Sequence, residues 1–519
     1  MKEKKSFRQR IDEFWKVSAN GSSFKVEIIA GIATFLAMSY ILVVNPNQIL
    51  YAGSADFRWT SLFIATAFGA IIGTLLMSLY SKMPLAQASG MGLNSTLGGV
   101  IGGGIGGAAY AYGFPYSLPS ALLLVFISGV IFLLLSIIPI SKDKETGKSV
   151  TLREKIYDGM PDSIRKAIPV GIGFFIAFIG LQNAKIVSAN QYTLVELVDF
   201  TKVFTGSLTD ASGQLYNYTY AIVGLVSFFA IVILSKFKVK GAVIFGVLIA
   251  TLIAIPLKVT DLSILAGNSN GITWKFWESL GAYFSKDGLF LSVFSKEAFA
   301  MPEGSLLTSI MLVITFCIID MFDTMGTVVG CATNAGLVDE NGKPLNYDKI
   351  MMSDSIATCT GAILGTSTVT TFVESGTGIA AGGKTGLSSL VTAILFALSI
   401  FLLPLFAFIP SAAAAGALMY VGVLMMKNVK GIDLDSISAA ATSFVTILMM
   451  VLTYSITKGI GMGVITYVLI EVVIYLIKGV RYLLAKNKEN VKKPTWNISI
   501  VLLVVFVLFL IYLFVPTVF

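Results

Sequence analysis

Apolar runs of about 20 residues recur from one end of the chain to the other, and a run of that length is what a helix needs to cross the hydrocarbon core of a bilayer. In lipid, every backbone N–H and C=O must find its partner within the protein, so only helices and closed barrels span. Barrel strands alternate apolar and polar residues, whereas these runs are continuous, which excludes a barrel. The pattern predicts spans near 25–44, 59–80, 85–105, 118–140, 164–181, 217–235 and 241–257. A second set lies near 306–332, 352–365, 367–383, 387–409, 412–426, 437–455 and 459–479, with a last run at 499–518. Hydrophobic residues make up 55% of the 519 residues and charged residues 13%, where a soluble protein carries about 25% charged. A chain that poor in charge has lipid as its solvent. The expected fold class is an all-α polytopic membrane protein of about 14 transmembrane spans.

The net charge of +8 sits mainly in short connections, where Lys and Arg set topology. Lys2, Lys4, Lys5, Arg8 and Arg10 precede the first span, and Lys142, Lys144, Lys148, Arg153 and Lys155 follow the fourth. Lys236, Lys238 and Lys240 follow the sixth, and Arg481, Lys486, Lys488, Lys492 and Lys493 follow the fourteenth. If each span crosses once, all four groups share one side, which is then the cytoplasm. The expected location is the cell membrane, multi-pass, with a cytoplasmic N-terminus that carries no cleavable signal pattern. The run at 499–518 is either a further crossing or an interfacial helix. No surface mixes clustered aromatic and basic residues in the manner of a nucleic-acid binder, so no nucleic-acid partner is expected. Cys317, Cys331 and Cys359 form no CxxC pair, and the chain has no histidine, so neither a disulfide framework nor a metal site is expected.

Two strings recur in order. Gly69-Ala70-Ile71-Ile72-Gly73-Thr74 returns as Gly361-Ala362-Ile363-Leu364-Gly365-Thr366, and Ala88-Ser89-Gly90-Met91-Gly92-Leu93 returns as Glu374-Ser375-Gly376-Thr377-Gly378-Ile379. Two ordered matches at nearly constant offset point to duplication. The copies begin with the first and eighth spans, and an odd number of crossings between them inverts the second copy, a 7+7 inverted repeat of the kind that builds secondary transporters. Spans three and ten are poor helix. Gly98 to Gly107 holds seven glycines, and Gly376, Gly378, Gly382 and Gly383 punctuate the other copy. Each glycine costs about 1 kcal/mol in a helix interior, so each of these spans is expected to be broken into an extended segment and a half-helix. Broken backbone at membrane depth is tolerated only where it is buried or lines a cavity.

Asp320, Asp323 and Glu374 lie at membrane depth, with Asp354 nearer an edge. Such residues are expensive in lipid and are candidates for function. Asp320 and Asp323 share a helix face, and Asp323 and Glu374 are placed to face one cavity. Paired carboxylates suit cations or neutral molecules rich in N–H donors, and they repel anions. Burial disfavours the charged carboxylate, so Glu374, Asp323 or Asp320 is a candidate carrier of a coupled proton. A helix-to-helix hydrogen bond is an equal reading for Asp320, and a capping role is the favoured one for Asp354. Lys384 reads as a snorkelling anchor, and Glu471 is left without a role. No nucleophile elbow, P-loop or zinc-ligand set is present, so neither an enzyme nor an ATP-driven pump is expected, and no cofactor.

At these residues the sequence resembles the AzgA-like purine permeases of the nucleobase:cation symporter / nucleobase-ascorbate transporter superfamily. The resemblance is carried by Asn20-Gly21-Ser22, by Met38-Ser39-Tyr40-Ile41-Leu42-Val43-Val44-Asn45-Pro46, by Gly90-Met91-Gly92-Leu93-Asn94, by Phe322-Asp323-Thr324-Met325-Gly326-Thr327 and by the long run from Gly365 to Gly386. It covers about residues 20 to 480. The resemblance implies a core domain of spans 1–4 and 8–11 (25–140 and 306–409) and a gate domain of spans 5–7 and 12–14 (164–257 and 412–479). Outside them stand a cytoplasmic N-terminus (1–24) and a basic linker with a C-terminal apolar segment (480–519). It also implies proton-coupled import of adenine, guanine or hypoxanthine, with a homodimer as one possible assembly. By similarity, Asp323 and Glu374 grip the base and Phe372 stacks on it. Thr327, Ser375, Ala88 and Ser89 contribute to the same site. Where similar carriers have a histidine one turn after the first acid, this chain has Thr327. An anion transporter or channel of the same architecture is the alternative, against which Glu374 counts.

Overall fold

The computed structural model describes residues 6–50, 58–101, 114, 116–142, 149–190, 192–205, 207–210, 213–239, 241–260, 262–266, 272–286, 288–339, 344–484 and 495–514. Lys2, Lys4, Lys5, Lys144, Lys148, Lys240, Lys486, Lys488, Lys492, Lys493 and the glycine run beyond Ile101 lie outside the described residues. The fold is mostly helical and polytopic. Among the described residues, nine helices are long and apolar enough to cross a membrane, and Ala242–Ala254, Ile437–Leu452 and Ile500–Ile511 are shorter apolar helices.

The chain opens with α1 (Phe7–Trp15), started by a reciprocal Ser6–Gln9 capping box. The first span is interrupted: α2 (Phe24–Met38) stops at Ser39 and Tyr40, and α3 (Ile41–Ile49) carries Pro46, whose missing N–H removes a helical bond near the break. Next come α4 (Trp59–Leu76), then β1 (Gln87–Ser89) leading into α5 (Met91–Val100), and α6 (Leu118–Ile137). A connector formed by β2 (Pro139–Lys142), β3 (Ser149–Thr151) and α7 (Leu152–Gly159) leads to α8 (Asp162–Asn183). The hairpin β4 (Val187–Asn190) and β5 (Leu194–Leu197) precedes α9 (Asn217–Lys236) and α10 (Ala242–Ala254). Two short helices, α11 (Phe276–Phe284) and α12 (Lys296–Phe299), separate the halves.

The second half repeats the order. It runs α13 (Leu306–Ala335), α14 (Tyr347–Leu364), β6 (Val369–Thr371) leading into α15 (Ser375–Ala380), then α16 (Gly386–Ser399), α17 (Leu403–Ala407), α18 (Ser411–Met425), α19 (Ile437–Leu452) and α20 (Ile456–Leu484). The last run forms α21 (Ile500–Phe514), which packs on α20, α7 and α13, with Leu502 and Phe509 buried.

Both glycine-punctuated spans are a strand followed by a half-helix, and the two strands pair antiparallel with Gln87 opposite Thr371, Ala88 opposite Thr370 and Ser89 opposite Val369. Gly90 N–H donates to Thr368 O (2.9 Å) and Phe372 N–H donates to Ala86 O (3.0 Å), so the extended backbone is satisfied inside the protein. The recurring glycine strings are the floor of this crossing. A Cβ on Gly73 of α4 would come within 2.8 Å of Val369, and one on Gly361 of α14 within 2.7 Å, so only glycine lets the two helices close under the strands. Helices α3, α4, α13 and α14 pack against the strands, with α6 behind α14 and α13 and α16 between α4 and α2, whereas α8, α9, α18, α19 and α20 pack mainly on one another.

Two sequence readings change here. Arg153, read as a loop charge, is a buried side chain, 1% exposed. Asp354, read as a cap, lies two turns inside α14 with no exposure at all, because the helix begins at Tyr347 behind a polar first turn.

Candidate functional site: a cavity at the strand crossing

Where β6 ends, the chain turns into α15, and this turn carries Phe372 and Glu374. The β-branched run Val369-Thr370-Thr371 favours the extended form that brings them there. Across from it, α13 carries Asp323 and, one turn later, Thr327. All four line a single cavity of about 850 Å³, within the range of small-molecule sites. Its other walls are the start of α5 (Gly90 to Gly92), Ile172 and Ile176 of α8, and Tyr420 and Val421 of α18. Lys238 and Lys427 stand among the lining residues too, on connections that leave α9 and α18.

Glu374 is buried, with one oxygen engaged and one free. The Tyr40 hydroxyl, at the break between α2 and α3, donates to Oε1 at 2.6 Å, and Oε2 has no partner. Asp323 is partly exposed within the cavity. The first N–H groups of α5 have no acceptor within their own helix, as at any helix start, and Met91 and Gly92 line the same cavity. The wall therefore offers carboxylate acceptors, a buried aromatic ring and helix-start donors, which is what a flat, neutral molecule with N–H and C=O edges requires.

Other predicted residues sit behind this wall rather than in it. Ala88 and Ser89 are fully buried in β1, and the Ser89 hydroxyl shares a hydrogen bond with Thr366 (2.8 Å). The Ser375 hydroxyl accepts the Ala86 N–H (3.0 Å), tying α15 to β1. Asp320 Oδ2 accepts from the Thr358 hydroxyl (2.7 Å), which is the helix-to-helix bond between α13 and α14 weighed from the sequence.

Three residues carry more than the sequence signalled. Tyr40 is one aromatic among many in apolar runs, and nothing local marks it. Asp354 Oδ1 accepts from Gln87 Nε2 (2.9 Å), Thr324 Oγ1 (2.8 Å) and Thr371 Oγ1 (3.4 Å). Glu27, in the first turn of α2, is fully buried and accepts the backbone N–H groups of Lys384 (3.0 Å) and Thr385 (3.4 Å), which caps the entry to α16.

Residues 25–462 match the model of the Permease family, Xan_ur_permease. A putative permease of Methanocaldococcus jannaschii is 37% identical, over 89% of this chain and 92% of its own. The guanine/hypoxanthine permease PbuG of Bacillus subtilis is 36% identical, over 88% of this chain and 92% of its own. The adenine permease AdeP of Escherichia coli is 33% identical, over 89% and 90%. Among solved structures, the transmembrane domain of the cyanobacterial bicarbonate transporter BicA superposes with a TM-score of 0.55 at 16% identity, covering 84% of this chain and 97% of that one. SLC26A9 gives 0.54 at 12% identity, covering 91% and 69%. At such identities the likeness is one of fold alone.

Proposed function

The chain belongs to the Permease family, as the sequence resemblance led one to expect, and on that premise we propose that it imports purine bases (hypoxanthine, guanine and/or adenine) by proton symport with alternating access. As a permease it is a transporter, not an enzyme. The observation that carries the substrate reading is the meeting of Asp323, Glu374 and Phe372 on one cavity, with an oxygen of Glu374 left free. Purine bases are flat, neutral and rich in N–H donors. Carboxylates accept those donors, the Phe372 ring offers a stacking face, and the α5 amides meet the carbonyl of hypoxanthine or guanine or a ring nitrogen of adenine. Glu374 is the leading proton carrier, with Asp323 and Asp320 as further candidates, since a proton arriving at a buried carboxylate also removes its charge before the site crosses.

In this reading 14 spans form the 7+7 inverted repeat. The core domain (25–140 and 306–409) carries the strand crossing and moves against the gate domain (164–257 and 412–479), whose α8 and α18 form the facing wall. The N-terminus is cytoplasmic and the protein resides in the cell membrane. Lys238 and Lys427 then mark the cytoplasmic mouth, so the cavity corresponds to an inward-open state.

The fold neighbours include a bicarbonate transporter and an anion transporter, which favours an anion as the second reading. Two carboxylates facing the cavity oppose it, because each would repel the ligand. The deciding experiment is uptake of labelled hypoxanthine, guanine, adenine, uracil and bicarbonate into cells lacking their own carriers, at several external pH values. Purine uptake that rises as pH falls, collapses with an uncoupler and fails in Glu374→Gln supports the symporter. No purine uptake by membrane-inserted wild type sinks it.

A further inference from the structure

Among the described residues, Arg153 is the buried cation that neither the substrate nor the proton reading uses. It belongs to α7, in the connector between α6 and α8, yet its side chain reaches into the layer between α6 and α14. The guanidinium lies 3.9 Å from the centre of the Phe132 ring, a cation–π contact. Nη1 donates to Ser136 Oγ (3.4 Å) and to Met351 O (3.5 Å), and Nη2 stands 4.0 Å from Asp354 Oδ2. Neither Nε nor Nη2 has a hydrogen-bond partner, and neither does Asp354 Oδ2. The side chain is therefore held by charge and ring, not by a saturated fork of hydrogen bonds.

What the charge holds is the carboxylate that gathers the cavity wall. The three donors to Asp354 Oδ1 sit on three elements: Gln87 on β1, Thr371 on β6 and Thr324 on α13. Each is close in sequence to a cavity residue. Gln87 is three residues before Gly90, Thr371 adjoins Phe372, and Thr324 adjoins Asp323. One oxygen thus fixes the relative positions of both strands and the α13 acid. Without Arg153, Asp354 would be a buried carboxylate near a second one, Asp320, with no cation to balance either.

We propose that Arg153 is a positioning residue for the substrate cavity. Acting through Asp354 from behind the strand crossing, it ties the connector between the two helix groups to the wall that grips the ligand. Its uptake readout rests on the purine reading; a second readout does not. The proteins compared are wild type, Arg153→Met, Arg153→Lys and Arg153→Met/Asp354→Asn, all in membranes. The first measurement is initial-rate purine uptake, resolved into KM and Vmax. The second is the alkylation rate of Cys331, a cavity residue 4.0 Å from Val373 O, read by peptide mass spectrometry with N-ethylmaleimide as the probe.

Arg153→Met should raise KM roughly tenfold, as loss of alignment does at a distance, and should speed Cys331 alkylation. Arg153→Lys should recover most of both, because charge is what the site uses. The double variant, which removes both charges, should lie nearer wild type than Arg153→Met does. Wild-type KM and wild-type alkylation in Arg153→Met overturn the proposal. So does a double variant no better than the single one. If Arg153→Met fails to insert, a double variant that inserts with near-wild-type alkylation supports the proposal, and one that also fails overturns it. Should wild type take up no purine, the substrate reading falls while the Cys331 rates still decide Arg153.

Discussion

The front and the back of the strand crossing use the same residue type for opposite ends. In front, Asp323 and Glu374 open onto the cavity, and Glu374 keeps one oxygen unbonded. Behind, Asp320 and Asp354 are sealed from it: Thr358 donates to the first, and Gln87, Thr324 and Thr371 donate to the second, with Arg153 beside it. One oxygen of Asp320 and one of Asp354 also lack a hydrogen-bond partner, so the four carboxylates differ by whether they line the cavity rather than by an unbonded oxygen. A carboxylate that lines the cavity can accept a ligand's N–H or a proton; one behind the wall that gathers side-chain donors from several elements holds shape.

This contrast can be broken by experiment. The largest effect belongs to Glu374→Gln, which removes an acceptor and a titratable group together: uptake should fall by roughly two orders of magnitude with the protein still in the membrane. An uptake rate close to wild type would move the front site elsewhere. Asp323→Asn should raise KM about tenfold, the worth of a hydrogen bond to a charged acceptor, and competition by unlabelled base reads it directly. Gly361→Ala brings a methyl against Val369 and should lower stability by about 1–3 kcal/mol, seen as a lower thermal midpoint in detergent. Tyr40→Phe leaves both oxygens of Glu374 without the hydroxyl and should shift KM by several-fold, about 1 kcal/mol. Asp320→Asn should do least to KM, since the amide oxygen still accepts from Thr358. An Asp320→Asn defect as deep as that of Glu374→Gln would erase the distinction between front and back.

The helical, membrane-spanning character was legible because a span has a length, and the apolar runs at 59–80 and 118–140 match α4 and α6 closely. That spans three and ten are broken was legible from their glycines, but not where: the strands are Gln87–Ser89 and Val369–Thr371, whereas Gly98, Gly99, Gly376 and Gly378 lie inside α5 and α15, and the glycines from Gly102 to Gly107 lie outside the described residues. The candidate acids on the front wall followed from the expense of charge in lipid. The back wall did not follow. Arg153 sits in a run rich in Lys, so its local surroundings read as solvent, and only the tertiary path of α7 carries it inward. Asp354 was misplaced because Asp348 and Lys349 make the first turn of α14 look like a loop, which shifted the apparent helix start. Glu27 was passed over for the same cause, as a charge at the edge of an apolar run. Residues whose roles depend on contacts hundreds of positions away, such as Tyr40 to Glu374, leave no periodic mark.

The strand pair has a consequence for how such a site diversifies. Its rungs are main-chain bonds between Gln87–Ser89 and Val369–Thr371, one strand from each half. Main-chain rungs do not depend on side-chain identity, provided small residues remain at Gly73 and Gly361 beneath them and at Gly90, where a Cβ would come within 2.6 Å of Thr370. The residues that follow the strands can therefore be exchanged, and with them the ligand chosen, without parting the two halves. A lineage of such carriers can wander in substrate while its seam stays closed, and the record of that wandering is to be sought at positions 91–92 and 372–374.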